Sequence, residues 1–194
     1  ASPVDGTVNV TDTVVPVIDD TSWSIAEGSW INTDAPTLTV PVSDAEPSSG
    51  INVASISAAF SGGGSVSSSG YDPGTGLVTL ELTGLDEGSN TITLNISDNA
   101  GMAALPQSVT FNVDTVPPVI DDLSWSIAEG SWIPTSFTAL VVDVSDPTPG
   151  SGVDGLTASV TVTGDGTVNG TVFDELTGQL TIQLIDLGDR KSVV

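Results

Sequence analysis

The chain has 194 residues, and a hydrophobic fraction of 38% led by Val, Ile and Leu gives it enough apolar surface for packed cores rather than the makeup of a disordered acidic tail. It contains no cysteine and no histidine, which excludes a disulfide framework, thiolate metal sites and histidine acid–base chemistry. The formal charge is −23, and both basic residues, Arg190 and Lys191, follow Gly188; the preceding stretch repels nucleic acid and anionic membranes and calls for counter-ions.

A repeat organises the chain. Ser22 to Ile31 reads Ser-Trp-Ser-Ile-Ala-Glu-Gly-Ser-Trp-Ile and recurs unchanged at Ser124 to Ile133, a period of 102 residues that aligns Thr13 to Leu85 with Thr115 to Leu187 without gaps. Residues 1–12 are expected to be the end of a preceding repeat, since Val8 to Thr13 resembles Phe111 to Thr115. Residues 13–114 form a complete copy, and residues 115–188 form a second copy that lacks the last two strands. Residues 189–194, Asp-Arg-Lys-Ser-Val-Val, break the repeat and match what one reading frame of a common sequencing adapter encodes, so they are expected to be foreign.

Within the complete copy the apolar period is two, interrupted by turn residues. Val14 to Ile18 reads as a first strand, confined to a sheet edge by Pro16. Trp23 and Ile25 lead into the Ala26-Glu27-Gly28-Ser29 turn, flanked by Trp30. Leu38, Val40 and Val42 alternate with polar or proline positions. So do Ile56, Ala58 and Phe60, then Val78, Leu80 and Leu82, then Ile92, Leu94 and Ile96, and finally Val109, Phe111 and Val113. Ser61 to Gly70 reads as a Gly/Ser loop, and Asn169-Gly170 as a hairpin turn. About seven short strands per hundred residues with no helix predict an all-β, two-sheet antiparallel sandwich. No window is long and apolar enough to span a membrane as a helix.

The segment Phe111-Asn112-Val113-Asp114-Thr115-Val116-Pro117-Pro118, preceded by Asp98-Asn99-Ala100-Gly101, resembles the junction signature of the tandem bacterial immunoglobulin-like repeats of large surface adhesins and other secreted proteins. In that family Met102 would ordinarily be Asn. The resemblance implies tandem immunoglobulin-like sandwiches in an extracellular or cell-surface setting. It leaves open a stalk or adhesive region, a glycan- or protein-binding module, and the accessory domains of a secreted hydrolase.

Catalysis fails on inventory, because a hydrolytic triad needs a His or Lys base and residues 1–188 have neither. Calcium is the cofactor expected, since it takes carboxylate and carbonyl oxygens and the loops at the unit ends are rich in both. With loops alternating between ends as in an up-and-down sandwich, Asp44 and Glu46 should meet Asp98 and Asn99 near Asp12 in the incoming linker. In the second copy the like positions are Asp146 and Asp154, beside Asp114. Glu27, Asp86 and Glu87 gather at the outgoing end. The competing reading is that these acids are solvated turn residues. The paired tryptophans invite either a structural role or sugar stacking, and the partners expected are neighbouring repeats and a surface glycan or protein.

Overall fold

A computed structural model of the chain describes residues 11–188, so most of the 1–12 segment and the whole 189–194 segment lie outside it. The chain divides between Thr115 and Val116 into two compact units. Among the described residues there is no α-helix, only strands and two single 3-10 turns, Val53–Ser55 and Gly155–Thr157.

The first unit is an immunoglobulin-like β-sandwich. One sheet has the order β1 (Val17–Ile18), β3 (Thr37–Ser43), β6 (Leu77–Thr83), β5 (Ser65–Asp72). The other runs β2 (Trp30–Ile31), β8 (Gln107–Val113), β7 (Gly88–Asn95), β4 (Ser57–Ser61). The period-two pattern holds residue by residue: Leu38, Val40, Val42, Val78, Leu80 and Leu82 point inward from the first sheet and meet Ile92, Leu94, Val109, Phe111 and Val113 from the second. Leu38, Leu80, Ile92, Leu94 and Phe111 are wholly buried, and a side chain of that size gains roughly 1.5–3 kcal/mol on leaving water.

Four expectations are corrected. The connectivity is not up-and-down, because the chain changes sheet between β3 and β4, β4 and β5, and β6 and β7. The pairing is not wholly antiparallel, since β2 runs parallel to β8 with Trp30 opposite Asn112 and Ile31 opposite Val113. Ser61 to Gly70 is largely strand rather than loop: β5 begins at Ser65 and pairs with β6 through a bulge between Val66 and Ser68. Lastly, Asn169-Gly170 makes no hairpin. It sits inside β11 (Thr167–Asp174), where the bulge between Val168 and Gly170 repeats the one in β5.

The second unit has one four-stranded sheet among its described residues, β11, β12 (Gln179–Ile185), β10 (Ala139–Ser145) and β9 (Val119–Ile120) in that order. Its inner face carries Leu140, Val142, Val144, Leu180, Ile182 and Leu184, the counterparts of the first unit's inward row. Residues 159–163, the counterparts of β4, form no strand here. A β4-type strand bonds to a β7-type strand, as Ala58 does to Leu94, and none is present among the described residues of this unit.

Candidate metal site

The first unit brings three carboxylates together at the end where its incoming linker arrives. Asp12, Asp44 and Asp98 each offer an oxygen, and these oxygens all lie within 4.8 Å of one another. Local structure fixes each one. Asp12 Oδ1 accepts the Val14 N–H at 2.9 Å, and its Oδ2 accepts the Ser49 N–H at 2.6 Å, so the linker is bonded into the loop that follows β3. Asp44 closes that loop, its Oδ2 accepting the Ser48 hydroxyl at 2.6 Å and the Gly50 N–H at 2.9 Å. Asp98 starts the turn between β7 and β8. Its Oδ1 accepts the Met102 N–H at 2.8 Å, while its backbone bridges to Ile51.

The electrostatics are severe. Asp98 has 0% exposure, yet its Oδ2 has no hydrogen-bond partner, and neither has the buried Oδ1 of Asp44. A buried carboxylate oxygen left without a partner costs several kcal/mol in general, and three carboxylates at this spacing repel one another. The chain supplies no Lys or Arg before Gly188 to relieve them. Oxygens this close suit one cation of calcium's size, whose ligands sit about 2.3–2.6 Å from the ion. The Val14 N–H, and after it the Ser49 hydroxyl, hold the Asp12 carboxyl below its ordinary value of 3.8 and so keep it in the ionised form that a cation needs.

The other expected residues fall elsewhere. Glu46 is exposed and accepts the Ser48 N–H at 3.2 Å, outside the cluster. Asn99 donates its Nδ2 to the Ser49 and Gly50 carbonyls at 2.8 and 3.1 Å, so it pins the Asp44 loop against the Asp98 turn rather than offering a ligand oxygen there. The backbone of Asp114 extends the parallel pairing by donating to the Ile31 carbonyl at 2.9 Å. In the second unit Asp146 reproduces Asp44: its Oδ2 accepts the Gly152 N–H at 2.6 Å and its buried Oδ1 has no partner. Asp154 caps the 3-10 turn Gly155–Thr157, accepting the Leu156 N–H at 3.0 Å as Asn52 accepts Ala54 in the first unit, so its position is accounted for by capping.

The acids of the outgoing end are backbone clamps. Glu27 accepts the Thr110 N–H, Asp86 the Gly63 N–H, and Glu87 both the N–H and the hydroxyl of Thr115. Sequence reasoning missed this use. Of the tryptophans, Trp23 is buried in the core and Trp125 half-buried, while Trp30 and Trp132 are exposed.

No family model and no curated protein matches the chain. Solved structures resemble it weakly. CopC from Methylosinus trichosporium OB3b is 13% identical, with a TM-score of 0.38 over 51% of this chain and 93% of that one. The D00-D0 domain of intimin is 12% identical, with a TM-score of 0.38 over 92% of this chain and 95% of that one. Domains 5-6 of the S-layer protein SbsC are 19% identical, with a TM-score of 0.30 over 91% and 87%. The functional reading therefore rests on this chain's own residues.

Proposed function

We propose that the chain is a segment of a bacterial extracellular repeat protein, a stalk or adhesive region, in which calcium held by Asp12, Asp44 and Asp98 fastens the incoming linker to the sandwich. The observation that supports it is the fully buried Asp98, whose Oδ2 has no hydrogen-bond partner, in a cluster with two further carboxylates. Only Asp12 of the three belongs to the linker, so a cation shared among them joins linker to domain rather than loop to loop. Pro16, between Asp12 and β1, has a fixed φ and a missing N–H that already narrow the linker's freedom. Each fastened linker lengthens and stiffens the array without chemistry on any substrate.

The test is a calcium titration of the full chain followed by melting of the first unit, with magnesium and sodium matched for ionic strength. Binding to the folded state alone adds about 2.7 kcal/mol at a hundredfold excess over Kd. Calcium should raise the melting temperature well beyond both controls, because magnesium demands a tighter octahedron. Equal shifts with all three cations would reduce the effect to charge screening and remove calcium from the mechanism.

A further inference from the structure

The two sheets of the first unit end in four edge strands, β1, β5, β2 and β4. An edge presents unpaired N–H and C=O groups, and proteins guard it with a very short strand, proline, charge or a bulge. β1 and β2 are two residues long, and β5 is kinked by its bulge between Val66 and Ser68. β4 has none of these guards: it pairs with β7 in unbroken register and reads Ser-Ala-Ala-Phe-Ser. In the second unit the edges are the bulged β11 and the two-residue β9.

Charge singles out the same strand. The run from Pro47 to Tyr71 has no charged residue and is the longest such run in a chain of net charge −23, whereas its counterpart in the second copy holds Asp154 and Asp165. Beside β4, β7 sets Thr91, Thr93 and Asn95 opposite Ser61, Ala59 and Ser57, so the neutral surface continues across the sheet. The acid past the end of β4, Asp86, is held on the Gly63 N–H. The outward side chains of β4 are small and exposed, which lets another backbone approach. Its inward ones, Ala58 and Phe60, pack on the core yet stay half-buried, and a groove of about 500 Å³ opens between β4 and β5. The core is thus left partly open along this margin.

We propose that β4 is the seam at which two molecules of this chain associate, strand against strand, antiparallel about a two-fold axis through Ala59. That symmetry sets Ala59 opposite its own counterpart, Ala58 opposite Phe60 and Ser57 opposite Ser61. The sheet becomes eight strands wide, and Phe60 gains a neighbour on the inner face. A basic partner would find carboxylates elsewhere on this surface but none along this strand, whereas a second molecule meets like-charge repulsion everywhere except here. In an array of such units the seam joins stalks side by side.

The test is sedimentation equilibrium of the full chain across a range of sodium chloride. The chain should dimerise, and in about 1 M salt, where the screening length is about 3 Å, Kd should fall about 10-fold or more, since repulsion is screened and no ion pair is broken. Ala59→Glu sets two carboxylates face to face and should raise Kd about 10-fold or more without changing the melting temperature. Because the chain has no cysteine, the register can be read covalently. In the proposed pairing the two Cα atoms of residue 59 lie about 4.5–5.5 Å apart, within disulfide reach, and those of residue 57 about 13 Å apart. Ala59→Cys should therefore oxidise to a covalent dimer and Ser57→Cys should not, while Ser57→Cys mixed with Ser61→Cys should give the mixed dimer. Should Ala59→Glu also lower the melting temperature, the cysteine pattern decides. A monomer at every concentration and salt overturns the proposal and leaves the edge to a strand of another protein. A dimer that salt weakens, that ignores Ala59→Glu in a folded chain, or that crosslinks equally through Ser57→Cys overturns it as well.

Discussion

Asp98 has two opposite effects, and which one shows depends on the cation. Its Oδ2 is buried without a partner, while Oδ1 holds the Met102 N–H. Asp98→Asn keeps an acceptor for Met102 and removes a buried negative charge. In a chelator it should stabilise the first unit by roughly 1–3 kcal/mol, and it should cancel most of the gain from calcium, so melting with and without calcium should show a reversal of sign. Asp72 has a simpler part. The Gly74 N–H, then the Thr75 hydroxyl, hold its carboxyl below 3.8, and Thr21 does the same for Asp19. A depressed folded-state pKa gives stability that is present above the unfolded value and lost as pH falls through the folded one. Acid melting of the first unit should thus steepen below about pH 3.8. Asp72→Asn should weaken the unit at pH 7, leave it almost unchanged at pH 2, and flatten that limb.

At the scale of elements, alternation made β3, β6, β7 and β8 legible, because half-buried strands impose a period of two. β5 was not, since Ser67, Ser68, Ser69 and Gly70 show no alternation and have little strand preference; the strand exists because Leu77–Thr83 offers it an edge. The bulge it shares with β11 explains why Asn169-Gly170 looks like a turn: one residue is left over within a continuous strand. The grouping of Asp12, Asp44 and Asp98 at one end was expected from an up-and-down loop order that the connectivity does not follow, and Glu46 and Asn99, expected with them, stay outside the cluster. The burial of Asp98 was not legible, because it depends on bridging to Ile51, which no local pattern announces. Gly64 is a second such case. Its φ is +113°, and a Cβ there would lie 2.7 Å from Leu85 Cδ2, so Gly64→Ala should cost about 1–3 kcal/mol in urea unfolding.

Across the whole molecule, charge and packing are unequally answered. The first unit closes a two-sheet core, whereas the inner face of the second is covered by half-buried Trp125, Ile127, Phe137, Val160 and Val162. Two thermal transitions should follow, with the broader and lower one belonging to the second unit; Trp125→Phe should move that one alone. Added sodium chloride should raise both, since the chain's net charge of −23 is shared between them and salt screens it in each.

The parallel pairing of β2 with β8 bears on how the first unit carries load. In a parallel pair the start of one strand and the end of the other lie at opposite ends of the shared ladder, so tension applied through the two ends of the domain slides β2 along β8 instead of peeling it away. Three backbone bonds, Gly28 to Thr110, Asn112 to Ser29 and Asp114 to Ile31, then stretch together rather than in turn. Pulled from both ends, the sandwich should yield in a single abrupt rupture at a force set by this short seam, well before its aliphatic core is exposed to water.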